Sequence, residues 1–496
     1  PEPTRSRRRG SPLVGQARQQ PLRRARAVPF FRKAFPLPCR AVSVLERRFR
    51  IRERGSSVRT EVVGGVGTFL TMCYILFVNP AILSAAGMPF EAVATATAIA
   101  ACVATLAMGV LANVPLALAS GLGLNAVVAF DIVLGRGYSW EVGMACIVIE
   151  GLLALVLVIA GLREAVMRAI PLSLKLAIGV GIGLFITLVG LREGGIVVSS
   201  PATGIELADL SAGPPLVALA GIIVAGALAV RGMRGSILAG IATTLVLGLA
   251  FGVLDGPDGV ADVPGSDSFS TIGDALSWDH IEEALSLVLI PVIFALFVTD
   301  FFDTIGTSVA VGSAAGLTDE RGELPNIRRL LLVDSAAAAG GGVMGVSSVT
   351  TYVESGAGVA EGARTGLASV VTAVLFGLAI LFVPVMALVG QGVTYGEATI
   401  HPAVAPALVM VGYLMMRIVT GIDWSEPESA LPAFLVIAGI PLTFSIAAGI
   451  GLGVFGYVVA MLVRGRAREV HPLMWALVPL FAAFFLADWL SGSVFG

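Results

Sequence analysis

The chain alternates long apolar runs with short polar breaks. Runs of roughly 17–25 residues match the hydrocarbon thickness of a bilayer when helical. They occur at 61–86, 90–112, 115–135, 139–161, 169–190, 214–231 and 235–253. They resume at 283–311, 327–345, 348–363, 366–390, 402–418, 430–446 and 448–464, and a further apolar stretch, 472–490, follows. The pattern predicts an all-α polytopic membrane protein of about 14 transmembrane segments in two sets of seven. The two sets echo each other. Ser120-Gly121-Leu122-Gly123 in segment three parallels Ser355-Gly356-Ala357-Gly358 in segment ten, and Ile170-Pro171 parallels Ile400-His401-Pro402. A seven-segment repeat crosses the membrane an odd number of times, so the second copy is inverted. A 7+7 inverted-repeat fold is a transporter architecture, with its site at mid-membrane where the copies meet.

Segments three and ten are predicted to be broken. Val349-Thr350-Thr351-Tyr352-Val353 favours extended chain, and the run that follows is too short to span as one helix. A strand followed by a half-helix covers the core and leaves Glu354 at the break, near mid-depth. Segment three has the same form. Pro115 stops a helix from running on out of segment two, and Ser120-Gly121-Leu122-Gly123-Leu124-Asn125 follows.

Composition sharpens this picture. The 496 residues are 56% apolar and only 13% charged, against about 25% charged in soluble domains. The mean hydropathy is +0.91. Soluble, disordered, coiled-coil and disulfide-scaffold classes are excluded. Cys39, Cys73, Cys102 and Cys146 are scattered without a CxxC pair and read as packing residues.

The net charge of −2 hides a division. The first 60 residues carry 17 of 32 Lys/Arg and 3 of 34 acids, a net +14. This head reads as a basic disordered tail, either simply solvated or a contact for anionic lipid or a targeting segment. With the head in the cytoplasm, Arg163, Arg168, Arg231, Arg234, Arg321, Arg328, Arg329, Arg364, Arg417, Arg464, Arg466 and Arg468 fall at or beside cytoplasmic connections. Arg136 and Arg192 fall outside. The 254–282 connection holds Asp255, Asp258, Asp262, Asp267, Asp274, Asp279 and Glu282 with no Lys or Arg, as an outside loop should. A multi-pass cell-membrane protein with a cytoplasmic N-terminus is expected.

Ionisable groups inside spanning segments are costly and mark candidate sites. Segment eight carries Asp300 and Asp303, three apart and therefore on one helix face, with Thr299, Thr304 and Thr307 around them. Segment ten carries Glu354. Segment three carries Asn125, one of four asparagines in the chain, read either as a site residue or as an interhelical hydrogen bond. Segment one holds Tyr74 and Asn79-Pro80, for which lining and packing roles are equally open. There is no GxxxxGK[ST], HExxH or GxSxG motif, and Gly451-Leu452-Gly453-Val454-Phe455-Gly456 lies inside a spanning run, where close helix packing explains it. His280, His401 and His471 form no metal cluster. The reading is an ion-driven transporter, not an enzyme.

Thr299-Asp300-Phe301-Phe302-Asp303-Thr304-Ile305-Gly306-Thr307 resembles the AzgA-type purine permeases of the nucleobase/ascorbate transporter superfamily. So do Tyr352-Val353-Glu354-Ser355 with Glu361-Gly362-Ala363-Arg364-Thr365-Gly366, and Gly121-Leu122-Gly123-Leu124-Asn125-Ala126. The resemblance covers about 60–465 and departs at Gly356, where the family pattern has Ala. It implies a core domain at 61–162 and 283–390 and a gate domain at 163–253 and 391–464. The basic tail (1–60), the acidic loop (254–282) and a C-terminal apolar piece (465–496) stand apart. It implies proton-coupled uptake of hypoxanthine, guanine or adenine by alternating access, without a cofactor and with H+ as the coupling ion. Asp300 and Glu354 would bind the purine, assisted by Asn125, with Gly123, Thr351, Tyr352 and Ser355 lining the site and Asp303 or Glu354 structural or proton-linked. The implied partners are a purine, a proton and the bilayer, with a homodimer as an admissible assembly and no nucleic acid. The chemistry is consistent: a carboxylate accepts from purine N–H groups, a half-helix start offers backbone N–H groups, and Tyr352 or Phe302 offers a stacking face. The rival on the same fold transports another nucleobase or an organic or inorganic anion, but an anion site should present a cation.

Overall fold

The computed structural model describes residues 45–490 apart from 162–169, 202, 234, 257, 258, 260, 287, 319–323, 325 and 397, with backbone alone over 487–490. The basic head through residue 44, Cys39, Arg163, Arg168, Arg234, Asp258 and Arg321 lie outside the described residues.

The first apolar run forms two helices, α1 (Val58–Met72) and α2 (Ile75–Ser84). Ser57 caps α1, accepting from the Thr60 N–H at 3.2 Å. The backbone tightens to i→i+3 bonds at Cys73 and Tyr74, one turn before Pro80, which has no N–H to continue the ladder. Helix α3 (Phe90–Ala107) runs into a π-helical turn, Met108–Ala112. Asn113 then adopts a left-handed conformation at φ 54° and reverses the chain ahead of Pro115. Strand β1 (Leu118–Ser120) follows, then the short helix α4 (Leu122–Ala126), which widens into a π-helical stretch, Val127–Val133. Helices α5 (Trp140–Ile159) and α6 (Leu172–Glu193) come next. The hairpin of β2 (Val197–Ser200) and β3 (Gly204–Leu207) leads to α7 (Gly213–Val230) and α8 (Ser236–Ala250).

The acidic connection holds regular structure. It carries 3-10 turns at Ser266–Phe269 and Asp274–Leu276 and a short helix, α9 (Trp278–Ala284). The spanning helix expected from residue 283 therefore starts later, as α10 (Ile290–Ala314), with Pro291 in its first turn. Then follow α11 (Ile327–Val343), strand β4 (Val349–Thr351) and the short α12 (Ser355–Ala360). The next run divides into α13 (Gly366–Ala379) and α14 (Val383–Val389) around a 3-10 turn, because Pro384 cannot donate to the carbonyl of Ile380. A second hairpin, β5 (Val393–Tyr395) with β6 (Ala398–Ile400), leads to α15 (Ala405–Met416), α16 (Pro427–Thr443), α17 (Ile446–Val463) and α18 (Pro472–Leu490).

Among the described residues, eight helical stretches are long and apolar enough to cross a bilayer, and further apolar helices of 10–17 residues accompany them. This is a multi-pass membrane protein. Two packing neighbourhoods are visible. Helices α1 and α3 lie against α13, and α5 lies against α11, around β1 and β4. Helix α6 lies against α15 and α16, α16 against α17, and α7 against α8.

The two inner strands pair antiparallel, Leu118 opposite Thr351, Ala119 opposite Thr350 and Ser120 opposite Val349. A two-stranded sheet at this depth has outer edges that no water satisfies, so side chains must satisfy them. The Thr105 hydroxyl donates to the Leu118 carbonyl and accepts the Leu118 N–H, each at 2.9 Å. The Ser355 hydroxyl accepts the Ala117 N–H at 3.0 Å. The Ser369 hydroxyl reaches the carbonyls of Val114 and Leu116, both at 2.8 Å. The strand ends are closed by Gly121 N–H to the Ser348 carbonyl at 2.8 Å and Tyr352 N–H to the Ala117 carbonyl at 3.0 Å.

Candidate functional site

The break between β4 and α12 holds Glu354 as the residue preceding the helix. Its carboxyl is half-buried and accepts the Tyr74 hydroxyl at 2.6 Å. The Thr71 hydroxyl of α1 donates to the Glu354 carbonyl at 3.3 Å. The broken first helix thus carries the groups that fix the break in segment ten.

Helix α10 supplies two carboxyls with different surroundings. Asp300 is 2% exposed, and its Oδ1 has no hydrogen-bond partner. Asp303 is exposed. Beside it, Gly306 is exposed with open space where a Cβ would be, and Val353 is 55% exposed. A carboxyl on a spanning helix cannot face hydrocarbon at acceptable cost, so this opening is an aqueous one. Asp303 and Glu354 are electrostatic neighbours. Phe302, half-buried, lies under the Lys175 ammonium, 4.4 Å from its ring centroid.

The remaining predicted residues fall into a supporting layer. Asn125 is fully buried; its amide donates to Asn79 Oδ1 and its carbonyl accepts the Ser120 hydroxyl at 2.9 Å. Asn79 in turn donates to Thr97 Oγ1 at 2.8 Å. Tyr352 is 5% exposed and donates to the Ser120 carbonyl. Ser355 is fully buried on the Ala117 N–H. Thr351 is buried with its hydroxyl unpartnered. At Gly123 a Cβ would sit 2.8 Å from Ile182 Cγ2 of α6, so this glycine sets the approach of α4 to α6.

The sequence reading passes over two acids that the fold brings to the same place. Glu150 on α5 is 0% exposed and Asp334 on α11 is 3% exposed. Both lie within electrostatic reach of Asp300. Asp334 Oδ2 accepts the Thr304 hydroxyl at 2.7 Å, and Thr304 meets the Thr350 hydroxyl at 2.8 Å. The signal that picks out Asp300, an acid inside an apolar run, also picks out both of these residues. A further buried acid, Asp131, takes the Arg136 guanidinium at 2.9 Å and the Ser445 hydroxyl of the α17 N-cap at 2.7 Å.

Discontinuous helices meeting at a strand pair, with acids at the breaks and an aqueous opening beside them, define a membrane transporter. Solved structures agree on the fold. The chain is similar to the transmembrane domain of a cyanobacterium bicarbonate transporter, BicA, with TM-score 0.56 at 16% identity, covering 79% of this chain and 97% of that one. It is similar to the murine anion transporter Slc26a9 in its inward-facing state, with TM-score 0.55 at 11% identity over 88% and 74% of the two chains. A family model described as "Permease family" matches residues 59–452, and the chain belongs to that family. It is 42% identical to the guanine/hypoxanthine permease PbuG of Bacillus subtilis, over 88% of this chain and 98% of the relative. It is 38% identical to the adenine permease AdeQ of Escherichia coli, over 88% and 95%. The protein is a permease, not an enzyme.

Proposed function

We propose that the protein takes up purine nucleobases, hypoxanthine and guanine foremost, with a proton, by alternating access of a core domain against a gate domain. The observation that carries this reading is the near full-length similarity to guanine/hypoxanthine permeases at 42% identity. The site chemistry supports it. Glu354 and Asp300 accept the purine's ring N–H groups, and Phe302 offers the stacking face. Asp303, on the open side, links the site to water and to the proton.

The core comprises 61–162 and 283–390, and the gate 163–253 and 391–464. The packing neighbourhoods of the helices support this division, with Gly123 against Ile182 and Asp131 against Ser445 as points where the two meet. A 7+7 inverted repeat of fourteen segments, with the N-terminus in the cytoplasm, accounts for the antiparallel pairing of β1 with β4: each strand comes from the equivalent segment of its own copy. In this conformation Asp300 is covered, and movement of core against gate uncovers it.

The test is uptake of labelled hypoxanthine in cells lacking their own purine carriers, with surface expression measured in parallel. Glu354→Gln and Asp300→Asn should each reduce uptake to background while protein still reaches the membrane, and wild-type uptake should fall as external pH rises. Wild-type-like uptake in both variants refutes the site. Competition by a panel of purines orders the substrates.

A further inference from the structure

We propose that Glu150 holds the coupling proton, in a buried carboxyl cell that it forms with Asp300 and Asp334. The inference rests on the reading of the protein as a proton-coupled purine transporter and assigns a residue that this reading leaves unused. Glu150 sits mid-way along α5, fully buried, and neither of its carboxyl oxygens has a hydrogen-bond partner. Asp300 Oδ1 and Asp334 Oδ1 are also buried and unpartnered. Three buried carboxyls with unpartnered oxygens therefore lie within electrostatic reach of one another.

The charged groups on every element packed against α5 can be named. Helix α10 presents Asp300 and, one turn on and exposed, Asp303, which faces Asp300 and Asp334; α11 presents Asp334, with Arg328 and Arg329 exposed in its first turn. The Ser348 hydroxyl stands beside both Glu150 and Asp300 and carries no charge. On the outer connection, Asp274, Asp279, Glu282 and Glu283 are exposed, and His280 is turned onto the Asp274 carbonyl at 2.9 Å. Asp131, from the π-helical stretch, is engaged by Arg136 and Ser445. Arg328 of α11 reaches the carbonyl of Ile159 at 3.4 Å, about 13 Å further along α5 than Glu150 at 1.5 Å per residue. No cation in this set neutralises the cell.

Like charges buried away from water repel strongly, and an unpaired buried carboxylate is costly. Protons relieve both costs. A metal ion is disfavoured, because among the described residues no three His, Cys, Asp or Glu side chains converge as a metal site. The device works by linkage. When Asp300 accepts a purine N–H as a carboxylate, its charge stays in the cell, and a proton bound to a Glu150 oxygen offsets it. Purine and proton then favour each other's binding, by the same factor in both directions. When the site opens to the other side and the purine leaves, the Glu150 O–H bond releases its proton to water through the vacated site.

The experiment uses the full-length protein in liposomes with labelled hypoxanthine. Glu150→Gln keeps shape and removes the titratable group. It should accumulate less than about a tenth of the wild-type amount under an inwardly directed proton gradient. Gradient-free hypoxanthine exchange and hypoxanthine affinity should stay within about threefold of wild type. Full accumulation by this variant overturns the proposal, and so does loss of exchange together with accumulation, which marks a structural residue. Wild-type accumulation that follows a sodium gradient instead of a pH gradient also overturns it. Failure of the wild type to move hypoxanthine in any arm refutes the purine reading instead. If Glu150→Gln does not reach the membrane, Glu150→Asp decides: half-maximal uptake should move by at least about half a pH unit, and an unchanged profile overturns the assignment.

Discussion

Tyr74 shows how a single side chain links two broken helices. Its hydroxyl donates to the Glu354 carboxyl at 2.6 Å. A hydrogen bond to a charged acceptor contributes about 1.5–3 kcal/mol. Tyr74→Phe keeps the ring and removes the donor, leaving the carboxyl free to turn. Hypoxanthine uptake by this variant should lose about tenfold in apparent affinity with unchanged surface expression, the loss expected for roughly 1.4 kcal/mol. A variant indistinguishable from wild type would mean that Glu354 is held by its backbone alone. Residues of this kind are partly legible from sequence. Asp300, Asp303 and Glu354 announce themselves as acids in apolar runs, whereas Tyr74 looks like any buried tyrosine until the fold sets it against Glu354. By sequence, Tyr352 and Phe302 are equal candidates for the stacking face. In the fold the Tyr352 hydroxyl donates to the Ser120 carbonyl and its ring is buried, while Phe302 is only half-buried, with the Lys175 ammonium over its ring.

At the scale of elements, α5 and α11 pack almost backbone to backbone. A Cβ at Gly151 would lie 2.3 Å from the Ala339 nitrogen, and one at Gly342 would lie 2.8 Å from the Val148 nitrogen. Small residues allow this approach where lipid supplies no hydrophobic drive between helices. The approach is also what brings Glu150 and Asp334 into one cell. Gly151→Leu should cost at least the 1–3 kcal/mol typical of overpacking, roughly. The expected readout is a lower melting temperature and loss of monodisperse protein in detergent, with uptake lost in parallel. The strand pair obeys a different rule. Its sequence signal is the β-favouring Val349-Thr350-Thr351 run, but the pairing partner lies 231 residues away for Ala119 and Thr350 (350 minus 119). The groups that satisfy its edges, Thr105, Ser355 and Ser369, come from three further elements. Strand character is local, whereas satisfaction of the edges depends on the whole assembly.

For the whole molecule, the proposed motion has a direct mechanical test. Gly123 of α4 meets Ile182 of α6, and the two lie in what we assign as core and gate. A disulfide needs Cβ atoms about 3.5–4.5 Å apart, which a close approach of this kind allows. In a background with the native cysteines replaced, Gly123→Cys with Ile182→Cys should transport when reduced and fall below about a tenth of that rate when oxidised, recovering with reductant; cross-linking two groups that must separate removes the second state. Undiminished transport by the oxidised pair would show that core and gate do not separate at this point. Asp131 and Ser445 join the same two bodies through a 2.7 Å hydrogen bond, a second contact that opening must break.

The sequence by itself determined that this chain lives in a membrane, because 56% apolar and 13% charged residues leave too little polar surface for water. It also determined where the helices run and which acids are out of place in them, because hydropathy and the cost of buried charge are properties read residue by residue. Tertiary structure alone decided which acids act together. Glu150, Asp300 and Asp334 come from three helices, and only helix packing, through Gly151 and Gly342 for the first and last of them, brings them within electrostatic reach of one another. Structure alone also decided that Asp303 meets water while Asp300, one helical turn away, is covered, since exposure at that turn depends on where the neighbouring helices stand.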